Sequence, residues 1–149
     1  MDVKIETATI SLLDKFYEIE EKCFEQEAFS KRQISYLLTD YNTIALMAKT
    51  DNDIAGFIIA QVEVEENTEF GHIITINVAP NHRRQGTATK LLHKIENLLK
   101  QKGITQCRLE VREDNKHAIK LYQKMGYQTV GILENYYGKK HGLYLKKIL

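Results

Sequence analysis

Two arginines, a glutamine and a glycine stand where the sequence passes from a strand into a helix, in the stretch NVAPNHRRQGTATKLL (residues 77–92). A helix N-terminus carries partial positive charge and unpaired amide groups, so arginines are favourable there only when an anion binds. Gly86 lacks a side chain, which lets a ligand approach the backbone closely. The stretch predicts a local phosphate-binding turn, with a solvated basic helix start as the alternative. It is neither a nucleotide P-loop nor a dinucleotide fingerprint, because GxxxxGK[ST] and GxGxxG are absent.

Two titratable side chains near this turn could do acid–base chemistry. His72 lies early in the strand before the turn and, by strict alternation, shares a face with Ile74 and Ile76. Glu110 lies in the strand after the next helix and alternates with apolar neighbours, so it leaves the opposite strand face; a salt-bridged surface glutamate is the alternative. If the two strands are neighbours, His72 and Glu110 could act together as a general acid–base pair. Two ligands are too few for a zinc site, so we expect no metal.

The elements that must position these groups follow from periodicity and caps. The order is one strand, two helices, three strands, a helix, a strand, a helix and two strands. A strand–helix–strand unit implies a right-handed crossover between parallel neighbours, and short turns imply antiparallel pairs. We expect an α/β (α+β) fold with a mixed sheet of about seven strands and about four helices. The predicted strands cover residues 3–9, 43–49, 54–66, 70–80, 105–113, 127–133 and 141–149, and the predicted helices cover 11–24, a segment capped by Ser30, 84–102 and a segment from Asn115 to Gly126.

Composition bounds the class of protein. The 149 residues suggest a single domain over 1–149, and 43% hydrophobic with 28% charged residues is ordinary for a globular chain. The formal net charge of +1 and the expected lack of a basic face disfavour nucleic acid as a partner. The N-terminus shows no signal peptide and no segment is long and apolar enough for a membrane, so we expect a cytoplasmic protein without a membrane partner. Cys23 and Cys107 belong to no CxxC pair and are expected to be free thiols.

Two stretches carry a resemblance to a known family. RRQGTA resembles the Q/R-x-x-G-x-G/A signature of the GNAT superfamily of acetyl-CoA-dependent N-acetyltransferases, with Arg83, Gly86 and Ala88 at its fixed positions. LEVREDNKHAIKLYQKMGY (residues 109–127) is similar to a pattern of protein N-terminal and ribosomal-protein alanine acetyltransferases. The strand order is also that of the superfamily. The resemblance implies a sheet splayed between its fourth and fifth strands, with acetyl-CoA as cosubstrate in the gap.

The resemblance also implies which residues contact acetyl-CoA. Backbone groups of the strand before the turn would bind the pantetheine arm and the acetyl carbonyl, and the turn with the start of the helix would wrap the diphosphate. Asn115 would contact the cofactor from the other side of the gap, with a role as helix N-cap as the alternative. The implied cofactor-binding residues are Ile76, Asn77, Val78, Arg83, Arg84, Gln85, Gly86, Thr87, Ala88, Thr89, Asn115 and Tyr122.

Three residues are implied in catalysis. Tyr122 matches the family tyrosine near the thioester sulfur, where a phenol O–H can hydrogen-bond or protonate the leaving thiolate; a core tyrosine is the alternative. Glu110 occupies the position of the family glutamate proposed as general base. If the strand of His72 lies beside it, the pair could position a water that deprotonates the acceptor amine. The cysteines lie in no nucleophile motif, so direct attack in a ternary complex is expected, with backbone donors near Val78 stabilising the tetrahedral intermediate.

Two segments are implied in binding the acceptor. The loop CFEQEAFS (residues 23–30) lacks the proline of the family's C-F-x-x-P-W-S-like loops, so Phe29 is either a wall of the site or a packed residue, and Tyr36 follows nearby. Tyr136 and Tyr137 resemble the tyrosine pair that binds the first residues of protein substrates.

The implied acceptor is the N-terminal α-amine of a protein or peptide, with ribosomal proteins among the candidates. Lys139 and Lys140 follow the tyrosine pair and suggest acidic N-termini as substrates. A lysine side chain or small amine as acceptor, or a non-catalytic acyl-CoA-binding domain, are the alternatives.

Overall fold

Alternating and β-branched runs form seven strands in one mixed sheet, in the part of the chain that this computed structural model describes, residues 3–24 and 27–149. All neighbouring pairs are antiparallel except the fourth and fifth strands, which are parallel. The predicted mixed sheet is confirmed. The strands are β1 (Lys4–Thr7), β2 (Thr43–Lys49), β3 (Ile54–Glu65), β4 (Thr68–Val78), β5 (Gln106–Arg112), β6 (Gln128–Tyr137) and β7 (Lys140–Ile148), in the spatial order β1-β2-β3-β4-β5-β7-β6.

Four α-helices, each at a predicted place, cover the sheet in the described residues: α1 (Leu13–Phe24), α2 (Lys31–Thr39), α3 (Thr87–Gln101) and α4 (Lys116–Lys124). Ser30 caps α2 through a capping box: the Ser30 hydroxyl accepts from the Gln33 N–H at 3.1 Å, and the Gln33 side-chain oxygen accepts from the Ser30 N–H at 2.8 Å. The predicted start of α3 at Arg84 is wrong. Arg84 and Gly86 have positive φ, which no helix accommodates, so they belong to the turn before it.

Two apolar clusters divide the core between the two faces of the sheet. On one face, which we call the α3 face, Leu91, Leu92, Ile95 and Leu99 of α3 pack with Tyr122 of α4. On the other, the α1 face, residues of α1 and α2 such as Phe16, Ile19 and Ile34 pack on Phe57 and Ile59 of β3. The candidate site residues lie on both faces, for example Tyr122 on the α3 face and Phe29 on the α1 face.

Strict alternation fails in β4, because the pairing with β3 shifts register between Ile59 and Ala60. Ile76 lies opposite Ile58 and packs in the α3-face cluster, whereas Ile74 packs in the α1-face cluster. The predicted common face of His72, Ile74 and Ile76 is therefore wrong for Ile76. A β-bulge changes which face the following residues occupy and bends the strand.

The helices of the α3 face carry an excess of positive charge. Every charged side chain that α3 and α4 expose is a lysine, since the one acid in these helices, Glu96, is buried. The predicted lack of a basic face is therefore wrong, although the net charge of +1 stands. The lysines are Lys90, Lys94, Lys100, Lys116, Lys120 and Lys124.

None of the helices in residues 3–24 and 27–149 combines the length and the apolarity that crossing a membrane requires.

Candidate active site

The sheet opens between β4 and β5. The two strands pair over three positions, Gly71 with Cys107, His72 with Arg108 and Ile73 with Leu109. Beyond them β4 continues to Val78 beside β3 alone, while Glu110 and the rest of β5 pair with β7. The predicted splay between the fourth and fifth strands is confirmed. It leaves the β5-facing backbone groups of residues 74–78 without a strand partner among the described residues.

The glycine turn lies at the C-terminal end of β4, where the sheet opens. Gly86 is the N-cap residue of α3 with φ of 77°, and no side chain caps the first turn. A Cβ added at Gly86 would meet no described atom within 4 Å, so the approach to the backbone is open. The Thr87 hydroxyl is buried and has no hydrogen-bond partner in the described residues. An uncapped helix start with an unpaired hydroxyl suits an anion such as a diphosphate.

Arg83 is directed at the end of β4. Its Nε donates to the Val78 carbonyl at 3.1 Å and its Nη2 lies 3.5 Å from the sulfur of Cys23. The Cys23 thiol approaches the same carbonyl at 3.5 Å. These contacts tie α1 to the strand end, so a contact between Arg83 and the cofactor stays a prediction. The exposed neighbours Arg84 and Gln85 lie in the turn, and the predicted contact residues Ala88 and Thr89 lie in the first turn of α3.

A buried carboxylate supports β4 from the α1 face. Glu20 of α1 is 1% exposed, and its Oε1 accepts from the Thr75 hydroxyl and the Asn77 side-chain amide, each at 2.9 Å. Its Oε2 accepts from the Phe29 backbone N–H at 3.2 Å. Burial raises the pKa of Glu20, although these three hydrogen bonds oppose the rise. The cluster joins the loop before α2 to the strand at the opening. The Asn77 amide nitrogen serves this cluster, whereas the buried Asn77 Oδ1 has no hydrogen-bond partner among the described residues.

The helix α4 places Asn115 and Tyr122 across the opening from α3. The Asn115 side chain accepts from the Ala118 N–H at 3.3 Å, so Asn115 does cap the helix, and a cofactor contact stays a prediction. Tyr122 is 6% exposed and meets the ring of Tyr127 edge to face at 5.9 Å. Burial, followed by the nearby groups Tyr137 and Cys107, raises the pKa of Tyr122. Its phenol therefore keeps its proton and can serve as a hydrogen-bond donor.

His72 and Glu110, the predicted acid–base pair, are in direct contact. His72 Nε2 lies 2.8 Å from Glu110 Oε1, and its other ring nitrogen, Nδ1, lies 2.7 Å from Glu63 Oε2. Burial lowers the pKa of His72, but the hydrogen bonds and charges of Glu110 and Glu63 outweigh burial and raise it overall. The site therefore contains a carboxylate–imidazole–carboxylate chain that spans β3, β4 and β5.

The tyrosine pair lies at the end of β6, beside this chain. Tyr136 and Tyr137 pack edge to face with ring centroids 4.9 Å apart, and Asn135 before them has φ of 53° at a break in the β6–β7 register. Burial and then the Glu110 charge raise the pKa of Tyr136, and Glu110 also acts on Tyr137. The predicted hairpin thus lies within electrostatic reach of the candidate base.

The second acceptor segment lines a cavity of about 310 Å³ on the α1 face. Phe29 and Tyr36 both line it, together with Arg32 of α2 and Ile74 of β4. Phe29 also packs against the α1-face cluster, so the two alternatives for it are compatible. Of the loop 23–30, Glu25 and Gln26 lie outside the described residues.

Sequence reasoning missed three carboxylates at this site. Glu63 and Glu20 contact His72 and β4 as described, and Glu27 binds Arg112 of β5 at 2.6 Å. The only usable signal was for Glu63, since a hairpin with its turn at Glu66 and Asn67 brings residues 63 and 70–72 together. Glu20 and Glu27 lie in α1 and the loop after it, and no spacing in the sequence relates them to β4 or β5.

A mixed sheet that opens between parallel strands, with an uncapped helix start at the opening, is the fold that the resemblance predicted. The sequence profile of the Acetyltransferase (GNAT) family matches residues 12–127. The chain therefore belongs to this family, whose members transfer an acetyl group from acetyl-CoA. The unpaired Thr87 hydroxyl and the open approach to Gly86 fit such a donor.

Relatives narrow the kind of acetyltransferase that the chain resembles. It is 30% identical over 117 residues to an N-alpha-acetyltransferase of Sulfurisphaera tokodaii, covering 72% of this chain and 70% of the relative. It is 40% identical over 92 residues to the [Ribosomal protein bS18]-alanine N-acetyltransferase of Haemophilus influenzae, covering 62% and 60%. The crystal structure of the ribosomal-protein-S18-alanine N-acetyltransferase from Escherichia coli aligns with a TM-score of 0.87 at 23% identity, over 98% of this chain and 93% of that one.

Proposed function

We propose that the protein transfers the acetyl group of acetyl-CoA to the N-terminal α-amine of a protein or peptide, by direct attack in a ternary complex. The observation that carries the proposal is the position of Glu110, which binds His72. Further along β5, Arg112 pairs with Gly142 of β7, and the Tyr136–Tyr137 pair packs against that glycine. A base beside a partly exposed tyrosine pair provides both proton acceptance and hydrogen bonds for a peptide end. The similarity to N-alpha-acetyltransferases supports the same acceptor.

The α3 side of the opening would hold the donor. The turn from Arg84 to Gly86 and the first amide groups of α3 would bind the diphosphate, with Thr87 as an additional donor. The β5-facing backbone of residues 76–78 would pair with the pantetheine arm, since no strand of the described part of the chain pairs with it there. When bound, acetyl-CoA supplies an acyl group on a good leaving group, a thiolate.

The acceptor side needs only a modest base. An α-amine has a pKa near 8, so roughly a tenth of it is neutral at pH 7, against about 1 in 10³–10⁴ for a lysine side chain. Glu110, through a water, can take the proton that the amine loses as the new bond forms. This requirement favours an N-terminus over a lysine as acceptor.

The leaving sulfur would face Tyr122. Because burial raises the pKa of Tyr122 above that of an ordinary phenol, complete proton transfer to a thiolate, whose conjugate acid has a pKa of about 8.5, is unfavourable. Tyr122 therefore donates a hydrogen bond to the developing negative charge and keeps its proton.

A covalent acyl-enzyme is disfavoured by the state of both thiols. Burial raises the pKa of Cys107 to about 11 and also raises the pKa of Cys23. Neither sulfur is therefore activated as a thiolate at neutral pH. This supports direct attack by the amine.

Three broader predictions belong to the same proposal. We infer a single GNAT domain over residues 1–149, supported by the family match to residues 12–127. Action in the cytoplasm, and ribosomal proteins among the substrates, stay predictions. The second of these is supported by the relative that modifies ribosomal protein bS18.

The test is thiol release from acetyl-CoA with pairs of short peptides that differ only in a free or a blocked N-terminus. Each peptide carries an internal lysine, so that both amines compete in one assay. Turnover that requires the free N-terminus, with mass spectrometry placing the acetyl group there, is the expected result. Equal turnover of the blocked peptides, or turnover of small amines alone, would reject the α-amine acceptor.

A further inference from the structure

Glu63 is the member of the carboxylate–imidazole–carboxylate chain that no motif indicated. It lies on β3, and its Oε2 is 2.7 Å from His72 Nδ1, while Glu110 Oε1 is 2.8 Å from His72 Nε2. The three side chains are between 18% and 38% exposed, so they are partly withdrawn from water. His72 thus bridges two strands through both of its nitrogens.

This geometry fixes the charge state of the ring. A neutral imidazole has one N–H and one acceptor nitrogen, so it can donate to one carboxylate only. An ionised carboxylate accepts hydrogen bonds and donates none. Two ionised carboxylates at these distances are both satisfied only when His72 is an imidazolium that donates through Nδ1 and Nε2.

No other charged group described near His72 takes over the part of Glu63 in stabilising the imidazolium. Arg108 lies opposite His72 in β5, but its guanidinium binds Gln106, Glu65 and Tyr144 and stacks on the Phe70 ring. Its charge is therefore taken up by Glu65 at 3.2 Å. The tyrosine pair from β6 is neutral, because its pKa values are raised. Two further cations leave the same face, Lys146 of β7 opposite Arg108 and Arg112 of β5. The charged and titratable groups on the His72 side of β3, β5, β6 and β7 are therefore Glu63, Glu65, Arg108, Glu110, Arg112, Tyr136, Tyr137, Tyr144 and Lys146.

We propose that Glu63 is a positioning residue for the acetyl transfer, which holds His72 as a two-sided donor and thereby fixes the Glu110 carboxylate. His72 binds Glu110 Oε1, which leaves Oε2 to accept the proton of the attacking amine through a water. His72 itself accepts no proton from the amine, because both of its nitrogens already carry one. The inference rests on the proposed function, in which Glu110 is the base.

Glu63→Gln is the variant that tests this role, and Glu69→Gln is its matched control at an exposed position of β4. Glu69 lies three residues before His72, so its side chain leaves the other face of the sheet. The His72 ring is followed by NMR titration in the full-length protein, and kcat is measured against pH with saturating acetyl-CoA. Thermal unfolding confirms that both variants fold.

Removal of the Glu63 charge should lower the pKa of His72 by about 1 unit, since an opposite charge in direct contact shifts a pKa by about that much or more. The alkaline fall of kcat should move to lower pH by the same amount, because a deprotonated ring loses one of its two carboxylate partners. KM for the acceptor and for acetyl-CoA should stay within about twofold of wild type. Glu69→Gln should leave both the His72 titration and the kcat profile in place.

Three outcomes would overturn the inference. An unchanged His72 titration in Glu63→Gln would show that the two groups are not coupled, whatever the activity does. A shifted titration with an unchanged kcat profile, or a kcat that rises as His72 loses its proton, would show that His72 acts without the imidazolium. If the preferred acceptor proves not to be an N-terminus, the same variants are compared with the amine that the wild type uses, so the two proposals fail separately.

Discussion

The two faces of the sheet supply different kinds of groups to the opening between β4 and β5. The α3 face presents backbone: the turn at Gly86, the uncapped amides of α3 and the unpaired strand edge, next to helices whose exposed charges are all lysines. The α1 face presents side-chain carboxylates that are bound to partners from other strands and helices: Glu20, Glu63 and Glu110. A site built from backbone depends on one contiguous segment, whereas a site built from side chains depends on the packing of distant ones.

The largest effect should come from closing the backbone side. Gly86→Trp should lower acetyl-CoA affinity at least about 100-fold, because the indole would occupy the space through which a diphosphate reaches the helix start. Calorimetric titration with acetyl-CoA measures this.

Gly103→Trp is the control for Gly86→Trp. Gly103 follows the other end of α3, has φ of 81° and also meets nothing within 4 Å, so both variants carry a similar backbone strain of about 1–2 kcal/mol. Equal affinities in the two variants would remove the turn from the donor site.

The next effect should come from removing the base on the side-chain face. Glu110→Gln should lower kcat about 100-fold, with the greatest loss at low pH, where few amines are neutral. Acetyl-CoA affinity should not change, since Glu110 belongs to the acceptor side. Glu69→Gln, at an exposed position of β4, makes the same change away from the site. A pH-independent loss of less than twofold would leave bulk water as the proton acceptor.

A smaller effect is expected at Tyr122, which is proposed to face the sulfur that leaves as the acetyl group passes from the donor to the acceptor. Tyr122→Phe should lower kcat about tenfold or more, because a hydrogen bond to a charged group contributes about 1.5–3 kcal/mol. Acetyl-CoA affinity should fall only slightly. Steady-state kinetics combined with single-turnover measurements separates the loss in kcat from the loss in acetyl-CoA affinity.

Tyr127→Phe sharpens the Tyr122 result. Its hydroxyl donates to Glu96 at 2.8 Å, and Lys147 binds the same carboxylate at 2.8 Å. We therefore expect this variant to lose stability in urea unfolding rather than turnover. Full activity of Tyr122→Phe would show that Tyr122 has only a packing role in the core.

The smallest effect concerns surface charge near the acceptor. Lys139→Glu should lower the preference for Met-Glu over Met-Lys peptides about two- to fivefold, since exposed charge pairs contribute about 0.2–1 kcal/mol. Lys100→Glu makes the same change on the α3 face and should leave the preference unaltered. Equal acetylation of acidic and basic peptides by the wild type would reject steering by these lysines.

The same contrast explains what the sequence could predict. The Gly86 turn, the Ser30 cap and the strand order lie in contiguous stretches with local rules, and the structure has them where they were expected. The register shift in β4 has no such signal, because the residues around it, Ile73 to Ile76, are β-branched throughout and fit either face. The predicted start of α3 was wrong because arginine is compatible with a helix. The residue type gives no sign that Arg84 has positive φ, which only the backbone conformation shows.

The partners of the carboxylates were beyond sequence reasoning for a different reason. Glu20 meets Thr75 across 55 residues, and Glu27 meets Arg112 across 85. A buried glutamate on an amphipathic helix resembles a solvated one until the opposing strand is known. The roles of the turn and of Glu110, His72 and Tyr122 in catalysis stay predictions until the variants are measured.

The position of β7 between β5 and β6 has a consequence for the order of assembly. Glu110 pairs with Tyr144, so the strand that carries the candidate base gains its second neighbour from the segment made last among the seven strands. A chain emerging from a ribosome could complete the glycine turn and the β1–β4 half of the sheet well before that. The proposed donor site uses no residue later than Tyr122, so a growing chain contains all of its donor-binding residues before it contains β7.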